Sequence, residues 1–157
     1  MSTYTAKITW SVDSPDTFTK GRYSRGHTWL FDGGVVVAAS SSPQSVRLPF
    51  SIEEAVDPEE ALVAAASSCH MLSFLWVASR QGFSVESYED EAVGEMTKND
   101  DGKQWISRIT LKPTIVWLGD PPENEQLAAL HHEAHELCYI ANSIKSEVVV
   151  EGFEKRS

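Results

Sequence analysis

Positive charge is what this chain has least of. Its 157 residues carry 13 Lys and Arg against 23 Asp and Glu, for a formal net charge of −10 and a pI near 4.9. So few cations can displace little counterion from a phosphate backbone, and no nucleic-acid partner is expected. Cysteine is scarce as well, with only Cys69 and Cys138. The opening MSTYTAKITW lacks the basic start and apolar core of a signal peptide, so a cytoplasmic location is expected. In that reducing setting two cysteines read as thiols or redox partners rather than as a structural disulfide. There is no internal repeat and no low-complexity segment. The length predicts one domain over residues 1–157, large enough for a sizeable core, and five Trp with six Phe are available to fill it.

What is present is organised around DPEEALVAAASSCHMLSFLWVASRQG, residues 57–82. Asp57 is an N-cap, Pro58 takes the first helical position where its missing N–H costs nothing, and Glu60 completes a capping box. Gly82 supplies the left-handed stop. No residue of the run 61–79 carries a permanent charge, and apolar or small residues fall on every side, which predicts a helix buried all round. The run is nearly long enough to span a bilayer, but it holds four serines and a histidine behind a capping box, so a soluble core helix is expected and no membrane partner.

Residues 4–10 alternate, with Tyr4, Ala6, Ile8 and Trp10 on one face, as in a half-buried strand. SPDTFTKG reads as loop, and RYSRGHTWLF and VVVAAS flank the hairpin signal Asp32-Gly33-Gly34. The Ser/Pro-rich residues 40–51 form a surface connection to the helix. Beyond Gly82, FSVESYEDEAVGEM and QWISRITLKPTIVWL predict two long strands joined by KNDDGK. Trp105, Ile109, Leu111, Pro113, Ile115 and Trp117 share a face of the second, with Pro113 at an edge or bulge. LAALHHEAHELCYIA predicts a second helix with Leu127, Leu130, Ala134 and Leu137 facing the core, and SEVVVEGFE (146–154) a closing strand. The order predicts an α+β domain whose two helices lie against antiparallel sheet.

Three groups could carry chemistry. Cys69 and Cys138 each fall on a predicted core helix, and two buried cysteines acting as small hydrophobes fit the spacing as well as a redox pair does. A redox pair needs a thiolate, a positive group beside it and a second thiol close in space. Cys69 is mid-helix, beyond the reach of the helix dipole, so an Arg or a metal must activate it. Glu59 precedes Cys69 by ten positions on the same helix, about 15 Å along the axis, so it cannot touch it. An ordinary first-turn carboxylate explains Glu59 equally well, although Glu60 already serves the cap. Finally, His131, His135 and Cys138 fall within about 60° on one helix face, with His132 beside them. With Cys69 or His70 they could form a tetrahedral zinc site, although histidines spaced four apart are common by chance.

Two motifs resemble the OsmC/Ohr family (osmotically inducible protein C and organic hydroperoxide resistance proteins). DPEEALVAAASSC is similar to its helix-opening segment, where a Glu stands ten positions before the reactive cysteine, as Glu59 stands before Cys69. CYIANSIKSEVVVE resembles its second motif, a cysteine followed by Asn-x-x-Lys and the last strand, matched by Cys138, Asn142 and Lys145. YSRGHTWLFDGG resembles an OsmC-like branch apart from the two founding groups.

The resemblance implies an OsmC-like fold, an intertwined homodimer in which antiparallel sheets surround the long helix and the second helix. Its two active sites would each be built from both chains, so that Glu59 serves the partner's cysteine. The implied activity is thiol-dependent reduction of hydroperoxides, chiefly organic ones. Cys69 would pass through a sulfenic acid and condense with Cys138 to a disulfide, which a lipoyl protein or thioredoxin-like dithiol would reduce. No cofactor and no metal are implied. A guanidinium held by Glu59 would lower the thiol pKa, and Arg25 is the expected donor. Arg47 is the rival, and Arg22 is read as a solvated loop charge. His27, His70 and Tyr139 could tune the pocket. Met71, Phe74, Leu75 and Trp76 would suit an apolar alkyl hydroperoxide. A ligand- or zinc-binding protein of the same fold without enzymatic activity is the alternative. Acyl or thioester hydrolysis lacks a clear Cys–His–Asp arrangement.

Overall fold

The computed structural model describes residues 1–153 and divides into two compact units, Met1–Ala61 and the chain from Leu62 onward. The first unit holds the antiparallel sheet β1 (Ala6–Thr9), β2 (His27–Phe31) and β3 (Val36–Ala39), in that order. The predicted hairpin turn joins β2 to β3, with Gly34 at φ 84° and the Gly34 N–H donating to Phe31 O. All of β1 is exposed, so its alternation does not mark a half-buried strand in this chain. SPDTFTKG is not wholly loop. Ser14 and Pro15 open a four-residue helix, α1 (Pro15–Phe18), because proline's fixed φ suits a first helical position. The connection 40–51 is not wholly on the surface either. Ser40 and Ser51 are buried, and Ser40 Oγ accepts the Ile52 N–H at 3.0 Å.

α2 (Pro58–Arg80) begins in the first unit and continues into the second. Its capping box is formed in both directions. The Asp57 N–H donates to Glu60 Oε1 and the Glu60 N–H to Asp57 Oδ1, each at 2.8 Å. Gly82, at φ 85°, ends it as expected. It is the one helix among the described residues long and apolar enough to cross a membrane. However, it is not buried all round. Ala66, His70, Phe74, Val77 and Ala78 are buried, while Leu72 and Trp76 are 61% and 51% exposed. The sheets of one chain cover one side of a helix, and composition alone cannot say which side is left over.

In the second unit the two predicted long strands are four. β4 (Ser84–Asp90) pairs antiparallel with β7 (Pro113–Leu118), and β5 (Val93–Lys98) pairs antiparallel with β6 (Gln104–Leu111). The break is chemical. Pro113 has no N–H to give a ladder, and the preceding Lys112 N–H turns to Asp90 Oδ1 at 2.6 Å. Asp90 Oδ2 also accepts the Ser67 hydroxyl, so one carboxylate ties the bend to α2. The predicted inward face of β6 and β7 is correct, with Ile109 and Leu111 fully buried. The last strand is β8 (Glu147–Val150), shorter than expected, and it pairs parallel with β6. Glu154, the end of the expected strand, lies outside the described residues.

α3 (Asn124–Leu137) starts with a Glu123–Gln126 capping box and ends one residue before Cys138, earlier than expected. Leu130 and Ala134 are buried, but Leu137 is exposed and His131 takes a core position instead. Two apolar clusters result. One gathers Ala66, Ile109, Leu111, Val148 and Val150; the other gathers Phe74, Val77, Ala78, Leu130 and Ala134. In the first, α2 comes so close to β5 that a Cβ on Gly94 would meet Val63 Cγ2 at 2.5 Å.

Candidate active site

Cys69 and Cys138, far apart in sequence, meet in the second unit. Both are free thiols, Cys69 half-buried on α2 and Cys138 fully buried. The Cys138 thiol is in hydrogen-bond contact with Cys69. Burial pushes the Cys138 thiol up to about 11, and its hydrogen bond to Cys69 adds to that, while the Ala141 N–H, 3.4 Å from Sγ, opposes it. Cys138 therefore keeps its proton at neutral pH.

Cys138 is the C-cap of α3, with an extended backbone (φ −71°, ψ 108°) and its N–H on His135 O. A tight turn follows, in which the Asn142 side-chain amide donates to both Glu136 O and Cys138 O at 3.0 Å. Motif similarity singled out Asn142, but sequence reasoning assigned it no contact.

The other expected residues lie in the first unit. Glu59 Oε2 is buried without a hydrogen-bond partner among the described residues. A buried carboxylate oxygen in that state is costly, and a cation or donor is its natural complement. Arg25 is not on a strand but two residues before β2, where its own N–H donates to Phe50 O. Its Nη1 donates to Gly21 O and Tyr23 O, and its Cζ lies 3.7 Å from the centre of the Tyr23 ring. Arg47 and Arg22 are exposed. His27 Nε2 accepts from Trp29 Nε1 at 2.9 Å, which leaves the proton on Nδ1, 2.7 Å from Arg25 O, so both ring nitrogens are spent on neighbours in the chain.

The histidines do not assemble with cysteine. Among the described residues no group of three or more His, Cys, Asp or Glu side chains could hold a metal. Instead His70 Nε2 and His131 Nδ1 lie 3.1 Å apart in nearly parallel rings, an arrangement that sequence reasoning missed. His131 also stacks on Phe74, with ring centres 4.4 Å apart. Burial lowers both imidazoles from 6.5 to about 4, with His135 adding to the shift at His70 and His70 adding to it at His131. Two rings holding one hydrogen bond in an apolar setting are neutral. Phe74 is committed to that core, packed near Tyr88 and Trp117, and does not line a substrate pocket as expected. His131, His132 and His135 line a cavity of about 420 Å³ with Arg108 and Glu147, which form an ion pair at 3.3 Å.

An OsmC-like protein of unknown function from Vibrio cholerae shares 51% sequence identity and superimposes with a TM-score of 0.92, over 96% of this chain and 99% of that one. An organic hydroperoxide resistance protein from Elizabethkingia anophelis shares the fold at 16% identity and a TM-score of 0.69, over 96% of each chain. The uncharacterized protein YmaD of Bacillus subtilis is 24% identical over 129 residues, which cover 80% of this chain and 82% of YmaD. The family model for OsmC-like protein matches residues 52–152, from the approach to α2 to just beyond β8. The chain belongs to the OsmC-like family.

Proposed function

We propose that the protein is a cysteine peroxidase that reduces organic hydroperoxides in the cytoplasm. The observation that carries this reading is the contact between Cys69 and Cys138, one thiol accessible and the other buried and protonated. Cys69 attacks as the thiolate, the peroxide O–O bond breaks, and the alcohol leaves with a proton while Cys69 becomes a sulfenic acid. Cys138 then displaces the hydroxyl as water and forms the disulfide, which a lipoyl or thioredoxin-like dithiol reduces.

The working form is a homodimer with active sites at the interface. Leu72 and Trp76, one helical turn apart on α2, are both more than half exposed, an apolar face suited to a partner chain. The orphaned Glu59 oxygen is suited to a guanidinium, and Arg25 remains the candidate, with Arg47 as rival. Arg25 would have to exchange its Tyr23 and Gly21 carbonyls for that carboxylate.

Thiol counting tests the reading. One equivalent of an alkyl hydroperoxide should consume both thiols of the wild type, and Cys69→Ser should leave Cys138 untouched. Cys138→Ser should stop at the sulfenic acid. Two unreacted thiols in the wild type would refute the peroxidase.

A further inference from the structure

We infer that Asn142 is a positioning residue for disulfide closure, an inference that rests on the peroxidase reading above. A helix C-terminus leaves carbonyls without partners, and here the Asn142 amide takes two of them, Glu136 O and Cys138 O. The Asn142 backbone N–H donates to Cys138 O as well, at 3.0 Å, so the carbonyl of the cysteine is held twice by one residue. The turn closed in this way points the Ala141 N–H at Cys138 Sγ. Asn142 itself is exposed, and its side-chain contacts are with backbone carbonyls rather than the sulfur.

The chemistry of closure shows why that N–H matters. Once Cys69 is a sulfenic acid, the Cys138 sulfur must form the S–S bond as the Cys69 S–O bond breaks. The Cys138 proton leaves on the departing hydroxide as water, and no outside oxidant or reductant is needed. Negative charge grows on a sulfur that is fully buried, where water cannot stabilise it. The Ala141 N–H is the fixed dipole that meets this charge, and it serves only while the turn holds its aim. Attack of Cys69 on the peroxide forms no bond to Cys138 and builds no charge on its sulfur. Asn142 therefore acts on the second step and not the first.

The same turn supplies a control. The Ser143 hydroxyl donates to Tyr139 O rather than to the Cys138 carbonyl, so Ser143→Ala loosens the turn without releasing the cysteine. The experiment is single turnover of the whole protein with tert-butyl hydroperoxide. Sulfenic acid is trapped with dimedone, and the disulfide is followed by mass spectrometry. Asn142→Ala, and the isosteric Asn142→Asp that cannot donate, should oxidise Cys69 at the wild-type rate. Both should close the disulfide about tenfold more slowly, the scale set by losing one to two ordinary hydrogen bonds. In excess peroxide both should accumulate Cys69 sulfinic acid, and Ser143→Ala should behave as wild type. Wild-type closure in both Asn142 variants would overturn the inference, as would equal slowing of both steps. A wild type whose Cys69 does not react would instead overturn the peroxidase reading and this inference with it.

Discussion

Acidification from pH 7 to pH 5 should weaken this fold through one buried contact, the His70–His131 pair. Both imidazoles titrate near 4 in the folded chain, against 6.5 for an ordinary histidine. The unfolded chain therefore binds protons that the folded one refuses, and stability falls as pH drops from about 6.5 toward 4. At pH 5 a depressed imidazole removes roughly 2 kcal/mol relative to pH 7, a sizeable share of a typical domain's total. The main cause is burial, so the effect belongs to the core rather than to surface charge. Two further charges act on His70, with His135 lowering its pKa and Asp90 raising it. Urea unfolding at pH 7 and pH 5, at one protein concentration, compares the wild type with His70→Leu/His131→Leu. Carboxylates common to both proteins cancel in that difference. The wild type should lose at least about 2 kcal/mol more than the double variant between the two pH values. Equal losses, or either imidazole titrating near 6.5 by nitrogen NMR of the folded protein, would refute the reasoning.

Other perturbations have equally definite outcomes. Gly94→Ala sets a methyl group against Val63 Cγ2 and should cost about 1–3 kcal/mol in urea unfolding, with Val63→Ala restoring part of it. Asp90→Ala releases both the Ser67 hydroxyl and the Lys112 N–H and should lower stability by about 2–3 kcal/mol, whereas Ser67→Ala loses only one of these bonds and should cost less. Leu72→Glu or Trp76→Glu places a charge on the exposed side of α2, and the proposed dimer should sediment as a monomer in both variants. Glu59→Gln should slow oxidation of Cys69 by about tenfold without altering the thiol count, and an unchanged rate would remove Glu59 from the site.

Local chemistry was legible where it acts between neighbours in the chain. Asp57, Pro58, Glu60 and Gly82 mark the ends of α2 because caps and left-handed stops are decided within a few residues. The Asp32-Gly33-Gly34 hairpin and the inward face of β6 and β7 follow for the same reason, and the two cysteine motifs pointed to the family before any contact was known. What the sequence could not determine was competition between distant groups. Only the folded chain shows that Lys112 gives its N–H to Asp90 rather than to a strand, which parts β6 from β7. Only tertiary packing puts His131, and not Leu137, in the core, because a neutral imidazole with a buried partner in His70 satisfies its nitrogen there. That same pairing removes His131 from the metal set that helix periodicity allowed. The meeting of Cys69 with Cys138 likewise belongs to tertiary structure. A thiol contact between one helix and the residue that caps another depends on where each helix lies, and nothing in the spacing of the two residues encodes that.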